Sequence, residues 1–175
     1  LFKGKNSLAY GRQSKEIRDI RGAQISMIFQ EPMTSLNPVY TIGNHLVEVL
    51  LAHHKGMSRQ EAWKRGVEAL AAVGIPEPEA RMKNYPFALS GGMRQRCLIA
   101  ISVACSSKLI IADEPTTALD VTTQAQVMEL LLSLVEKNGT SIIVVTHNLG
   151  LVTRYADRIY FMYAGRIVES GTTEM

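Results

Sequence analysis

The sequence predicts an α/β fold built on a parallel sheet, with a block of helices inserted between its first and second strands. Three observations predict it. Short apolar runs at Ile25-Ser26-Met27-Ile28-Phe29, Leu109-Ile110-Ile111-Ala112 and Thr140 to Thr146 have the length and β-branched content of strands. Helical patterns fill the intervals between them, and alternation of strand and helix favours a parallel sheet with right-handed crossovers. The longest interval, residues 31 to 106, holds several helical patterns and no strand.

Taken in order, residues 1 to 12 hold a short apolar start and a turn-like Gly4-Lys5-Asn6; Ser14 can cap a brief charged helix to about Arg21, which Gly22 would end. The Ile25 strand runs into Gln30. Glu31 to Pro38, with prolines near both ends, reads as a long exposed loop. From Thr41 to His54, Leu46, Val49 and Leu50 recur at helical spacing, and from Ser58 to Val73 so do Trp63, Val67 and Leu70, with Ser58 and Glu61 forming a capping box. Pro76, Pro78 and Pro86 mark an irregular connection before a helix from about Ser90 to Ala104.

After the Leu109 strand, Val127, Leu130, Leu131, Leu134 and Val135 form the apolar stripe of a helix that Asn138-Gly139 would end. Thr140 to Thr146 reads as a buried strand. A short helix from Leu149 to Tyr155 follows, then a hairpin of Arg158 to Tyr163 and Arg166 to Glu169 turning at Ala164-Gly165.

The 175 residues suit one domain, or a domain with a subdomain. Nineteen Lys and Arg against 16 Asp and Glu give a formal net charge of +3, short of the clustered basicity of a nucleic-acid binder, so no nucleic-acid partner is expected. No apolar run approaches the ~20 residues needed to span a bilayer. Cys97 and Cys105 lack metal-ligand spacing and sit in apolar sequence, where a thiol acts as a small hydrophobe. With no secretory leader visible, they point to a reducing cytosol. The chain begins at Leu1, so a processed or incomplete sequence is expected.

Chemistry concentrates in residues 88 to 120. Ser90-Gly91-Gly92 places small residues where a helix begins, so backbone N–H groups and the helix dipole could face an anion, or the serine could be a plain N-cap. The Leu109 strand ends in Asp113-Glu114, delivering two carboxylates to the sheet edge, and Pro115 stops it. An Asp-Glu pair alone is usually solvated surface. His147 follows Ile142-Ile143-Val144-Val145 at another strand's carboxyl end, where α/β proteins gather their sites. His45, His53 and His54 read as structural side chains.

Leu89-Ser90-Gly91-Gly92-Met93-Arg94-Gln95-Arg96 resembles the signature motif of ATP-binding-cassette (ABC) ATPases, and Leu109 to Pro115 resembles their Walker B strand with its following glutamate. Gln30 looks like the Q-loop glutamine, Ala118-Leu119-Asp120 like the D-loop, and Thr146-His147 like the H-loop. A lone Ser-Gly-Gly would be weak; an ordered set covering nearly the whole chain is strong. The wording of residues 29 to 38, with Gly-Gly-Met-Arg-Gln-Arg and Asp-Glu-Pro-Thr-Thr-Ala-Leu-Asp-Val-Thr, is similar to the ATPase subunits of oligopeptide, dipeptide and nickel importers.

This resemblance implies a P-loop NTPase-like (RecA-like) sheet with an inserted α-helical subdomain. Residues 1–30 and 107–175 would form the ATPase core, and 31–106 the helical subdomain with Q-loop and signature motif. It implies ATP and Mg²⁺ as cofactors, with Asp113 holding Mg²⁺ through its water shell. Glu114 would be the general base for the attacking water, Gln30 would reach Mg²⁺ and that water, and His147 would contact the γ-phosphate. Ser90, Gly91 and Gly92 would contact a nucleotide held mainly by a second subunit, with Asp120 at that interface, though Asp120 is equally placed to cap a helix starting near Val121. Asn148 departs from the aspartate the family usually carries after its histidine.

The family's P-loop, Gly-x-x-x-x-Gly-Lys-Ser/Thr, is not found; Gly4-Lys5-Asn6-Ser7 lacks the preceding glycine. An N-terminally truncated cassette with an incomplete sheet is therefore expected, inactive in ATP hydrolysis alone. The expected parent is an ATP-hydrolysing subunit of an importer for peptides or a related solute, peripheral on the cytoplasmic face of the cell membrane. Its expected partners are a second ABC ATPase subunit in a homo- or heterodimer, transmembrane permease subunits and, indirectly, a solute-binding protein. The alternative is a non-catalytic module that donates its signature motif to a complete partner. A soluble ABC ATPase of DNA repair or translation should show a long coiled-coil insertion or tandem cassettes, and neither is visible.

Overall fold

The computed structural model describes residues 14–116 and 119–173. The apolar start and Gly4-Lys5-Asn6-Ser7 lie outside the described residues, as does Ala118 of the D-loop-like triplet. Two compact units divide the chain, residues 1–145 and 146–175, and each is described by itself.

In the first unit the strands are β1 (Ile25–Ile28), β2 (Leu109–Asp113) and β3 (Ser141–Val145), parallel and in the order β1-β2-β3. The register places Met27, Ile111 and Ile143 in one row and Ile28, Ala112 and Val144 in the next. Strand side chains alternate between faces, so the second row points to the core, where Ile28 and Ala112 are buried and Val144 packs against them. That face is covered by α6 (Gly91–Val103) and α7 (Val121–Lys137).

The opposite row stays open: Ile143 and Val145 are 51% and 50% exposed. The expected buried strand is thus packed on one face only. Its continuous apolar sequence has the composition of a parallel strand covered twice, but the described residues of this unit place helices α6 and α7 on a single face.

The helical insert comprises α3 (Ile42–His53), α4 (Arg59–Ala72), the short α5 (Pro78–Arg81), a single 3₁₀ turn at Pro86–Ala88, and α6. Ser58 and Ser90 cap their helices as the sequence predicts, and Thr41 caps α3 in the same way; each accepts the N–H of the residue three positions on. The buried face of α3 is Ile42, Leu46, Val47 and Leu50; Val49 is only half-buried, so the stripe lies one position from the expected one. Helices approach closely where glycine allows it. A Cβ on Gly43 would lie 2.7 Å from the Met82 carbonyl, and one on Gly66 2.6 Å from the Met82 methyl.

Residues 31–38 are not the open loop the prolines suggest. Pro32–Ser35 closes one helical turn, α2, and Leu36 behind it is 1% exposed. A prolyl residue is well suited to the first helical position because its missing N–H has no partner there anyway. The brief helix α1 (Lys15–Ile20) has Ser14 as its N-cap, and Gly22, at φ +82°, follows it.

In the second unit α8 (Leu149–Tyr155) is followed by the antiparallel pair β4 (Arg158–Tyr163) and β5 (Arg166–Thr172), three residues longer than predicted. Ala164 and Gly165 both take positive φ at the turn, the backbone that a two-residue hairpin connection demands. No helix among the described residues is long and apolar enough to cross a membrane.

Candidate active site

The parallel sheet brings Gln30, Asp113 and Glu114 together at one edge. β2 delivers Asp113 in register with Val145, and the chain then turns sharply. Glu114 sits in the left-handed region at φ +45°, while its backbone N–H donates to the Val145 carbonyl at 2.8 Å. A non-glycine residue there stores strain, and such outliers gather at functional sites. The ladder bond carries the pairing one residue past the strand, so the Glu114 carboxylate is aimed by a fixed backbone rather than by a free loop.

Across from it, Gln30 leaves the end of β1 and its Nε2 donates to Glu114 Oε2 at 3.1 Å, joining residues 84 apart in sequence. Beside this pair an open cleft of about 590 Å³ is lined by Phe29, Gln30, Glu31, Thr34, Ser35 and Asp113. Glu31, Thr34 and Ser35 were not singled out as site residues by the sequence. They reach the cleft because α2 folds back behind Gln30, and Thr34 and Ser35 cap it by donating their hydroxyls to the Glu31 carbonyl. The donors facing the cleft are hard oxygens, two of them carboxylates. No group of three or more His, Cys, Asp or Glu placed to hold a metal occurs among the described residues. One or two carboxylates with hydroxyls suit a cation that keeps most of its water, as Mg²⁺ does.

A second cluster forms where α6 and α7 begin. Ser90 caps α6 through the Met93 N–H at 3.3 Å, leaving the first-turn amides of Gly91 and Gly92 without intrahelical acceptors. Asp120 caps α7: its Oδ1 accepts the Thr123 N–H at 3.0 Å and its Oδ2 the Thr123 hydroxyl at 2.6 Å. Those bonds, the hydroxyl first, hold its carboxyl below the usual range. The two helix starts are neighbours, since a Cβ on Gly92 would lie 3.2 Å from Thr123 Cγ2 and one on Gly91 3.9 Å from Leu119 Cδ2. Arg94 and Arg96 brace the start of α6 by donating to the carbonyls of Leu89 and Val73.

His147 belongs to the second unit, in the turn before α8. Asn148 donates its N–H to Thr146 Oγ1, and its Oδ1 accepts the Gly150 N–H at 3.1 Å. An aspartate would offer the same acceptor, so asparagine keeps the start of α8 intact. Cys97 and Cys105 are buried, their thiols pushed up to about 12 and about 11 by desolvation.

The chain is 53% identical over 174 residues to an oligopeptide transport ATP-binding protein, OppD, of Bacillus subtilis, covering 99% of this chain and 48% of that protein. It is 52% identical to a dipeptide transport ATP-binding protein, DppD, of Lactococcus lactis, covering 99% and 49%. It therefore spans about half the length of these curated relatives. Among solved structures, the dimeric ATP-binding cassette MJ0796 in a post-hydrolysis state with ADP and Pi superposes with a TM-score of 0.79 at 32% identity. That match covers 91% of this chain and 67% of the other. The cbiO1 protein of Clostridium perfringens, part of the ABC transporter complex cbiONQ, gives 0.74 at 28%, covering 86% and 58%. Residues 3–117, two thirds of the chain with Gln30, Ser90–Gly92, Asp113 and Glu114 among them, match the family described as ABC transporter, and the chain belongs to that family.

Proposed function

We propose that the protein is part of an ATP-binding subunit that hydrolyses MgATP to drive import of peptides or a related solute. The observation that carries this reading is the meeting of Gln30, Asp113 and Glu114 at the sheet edge, in a chain whose relatives are named as peptide transport ATP-binding proteins. In this reading residues 1–30 and 107–175 contribute the ATPase core and 31–106 the helical subdomain.

The residues divide the chemistry. Glu114 accepts a proton from the attacking water, and its carboxylate is oriented for that by the Gln30 amide and by the bond from its own N–H to Val145. Asp113 and Gln30 would hold Mg²⁺, Asp113 supplying charge and Gln30 a neutral oxygen. Such a cation would supply positive charge against the phosphate oxygens. His147 contacts the γ-phosphate. The free amides of Gly91 and Gly92, with Ser90, face the nucleotide of a second cassette, and Asp120 lies at that junction. Two cassettes, permease subunits and indirectly a solute-binding protein would assemble on the cytoplasmic face of the membrane, with the α2 segment facing the permease.

Phosphate release tests this. The chain alone should give no appreciable turnover, and a dimer of the chain extended by a segment that supplies Gly-x-x-x-x-Gly-Lys-Ser/Thr to the same subunit should give turnover that Glu114→Gln abolishes. Turnover by the chain alone, lost in the same variant, would overturn the first part; an assembly that never hydrolyses ATP would overturn the second. The second reading is a module that donates only Ser90–Gly92 to a complete cassette. In that case Glu114→Gln would leave the assembly's turnover intact while Ser90 and Gly92 substitutions lowered it. A cysteine at Thr34 should crosslink to a co-assembled permease; an assembled complex without any adduct counts against the permease contact.

A further inference from the structure

Resting on the reading of Gln30 as a catalytic-site residue, we propose that His45 is a positioning residue that fixes the far end of the Gln30 segment to the helical insert. The segment leaves the sheet at Gln30, makes the turn of α2, buries Leu36 and reaches Asn37. There the backbone N–H of Asn37 donates to His45 Nε2 at 3.0 Å. The other ring nitrogen, Nδ1, lies 2.8 Å from the Thr41 carbonyl. An amide N–H can only donate and a carbonyl can only accept, so the two bonds assign the ring: neutral, with its proton on Nδ1 and its lone pair on Nε2.

Everything around the ring holds it in that pose. Thr41 is the N-cap of α3, accepting the Asn44 N–H, so the carbonyl that fixes Nδ1 is itself set by a helix start. Asn37 closes on the other side, its Oδ1 accepting the Val39 N–H and its carbonyl the Tyr40 N–H, and the Tyr40 ring meets the imidazole edge-on at 5.9 Å. Gln30 and Asn37 are thus the two ends of the wall that carries Thr34 and Ser35 into the cleft, one held by Glu114 and the other by His45. Releasing the His45 end lets α2 shift against Asp113, and Gln30 with it.

The test uses this chain and nitrogen NMR. In the wild type, His45 Nε2 should show the signature of an unprotonated nitrogen and Nδ1 that of a protonated one, with the Asn37 amide protected from exchange. His45→Leu keeps the helix and removes the acceptor, and should cut Asn37 protection roughly three- to tenfold, the worth of one net hydrogen bond. It should also move the Gln30 side-chain amide signals. His45→Gln can accept through Oε1 and donate through Nε2, and should restore both. A proton found on Nε2, or Asn37 protection unchanged in His45→Leu because Leu36 alone holds the segment, or Gln30 signals that do not move, overturns the proposal. In a hydrolysing assembly, His45→Leu should lower kcat with KM nearly unchanged and His45→Gln should recover it. Should no assembly hydrolyse ATP while the NMR results stand, the Gln30 chemistry falls and the latch remains.

Discussion

At the sheet edge Gln30 reaches Glu114 across 84 residues of chain, whereas at the helix starts Ser90 and Asp120 make their defining bonds to backbone three residues away. The first cluster exists only because β1 and β2 pair in one register. A slip of a single residue would turn Asp113 to the other face and carry Gln30 away from Glu114. The second cluster is local: each helix start would form wherever its own sequence is helical, and tertiary packing only brings the two side by side. The contrast predicts that changes at the edge act on chemistry and leave the fold alone, while changes at the helix starts act first on stability.

The largest expected effect tests the edge. Glu114→Gln keeps the shape and the bond from the backbone N–H to Val145 but removes the base. In a hydrolysing assembly it should cut kcat by on the order of 10² to 10⁴, the usual worth of a positioned general base, with the unfolding midpoint of the chain unchanged. A comparable loss of stability would show that Glu114 is structural and blur the contrast. Gln30→Ala comes next. It removes the amide that orients Glu114, and misplacement of a reacting group supports a loss of roughly 10- to 100-fold in turnover, again with little change in stability because Gln30 is exposed.

The helix starts should answer the other way. Ser90→Ala deletes the acceptor for the Met93 N–H and should destabilise the chain by about 1 kcal/mol, the common cost of a lost N-cap. Denaturant unfolding reads it directly. A variant that loses cross-cassette turnover with no loss of stability would mean that the serine is spent on a nucleotide and not on its helix.

The same contrast explains what could be read without a structure. Ser58, Ser90 and Asp120 were legible as caps because a cap is written within four residues, and the Ala164-Gly165 hairpin turn because its backbone demands a specific residue pair. Asp113, Glu114 and Gln30 were legible as candidates from the order of their motifs. Their contact was not, since nothing local in Phe29-Gln30-Glu31 states which strand lies beside it. The two prolines of the 31–38 segment, Pro32 and Pro38, suggested an open loop, and the turn of α2 was missed because burial of Leu36, a long-range event, decides it. The open face of β3 escaped for the same reason: a continuous apolar run states that a strand is able to be buried twice, and not what covers it.

Asp120 gives the smallest effect and the finest test of the local cluster. Two bonds from Thr123 favour its ionised form in the fold, so its folded-state pKa lies below that of the unfolded chain. For a lowered carboxyl the sign is fixed. Its contribution is complete above the unfolded-state value, shrinks as pH falls through the window between the two, and is gone below the folded-state value. Because the group is fully exposed, salt screens it and the effect should be small. Asp120→Asn keeps an oxygen for the Thr123 N–H, and asparagine caps as well as aspartate, but it does not titrate. The stability difference between wild type and Asp120→Asn, measured by urea unfolding at low salt, should therefore favour the wild type at neutral pH and fade on acidification through the ordinary carboxylate range. A difference that stays constant with pH would show that Asp120 serves α7 by its shape alone, leaving its charge available for an interface with a second cassette.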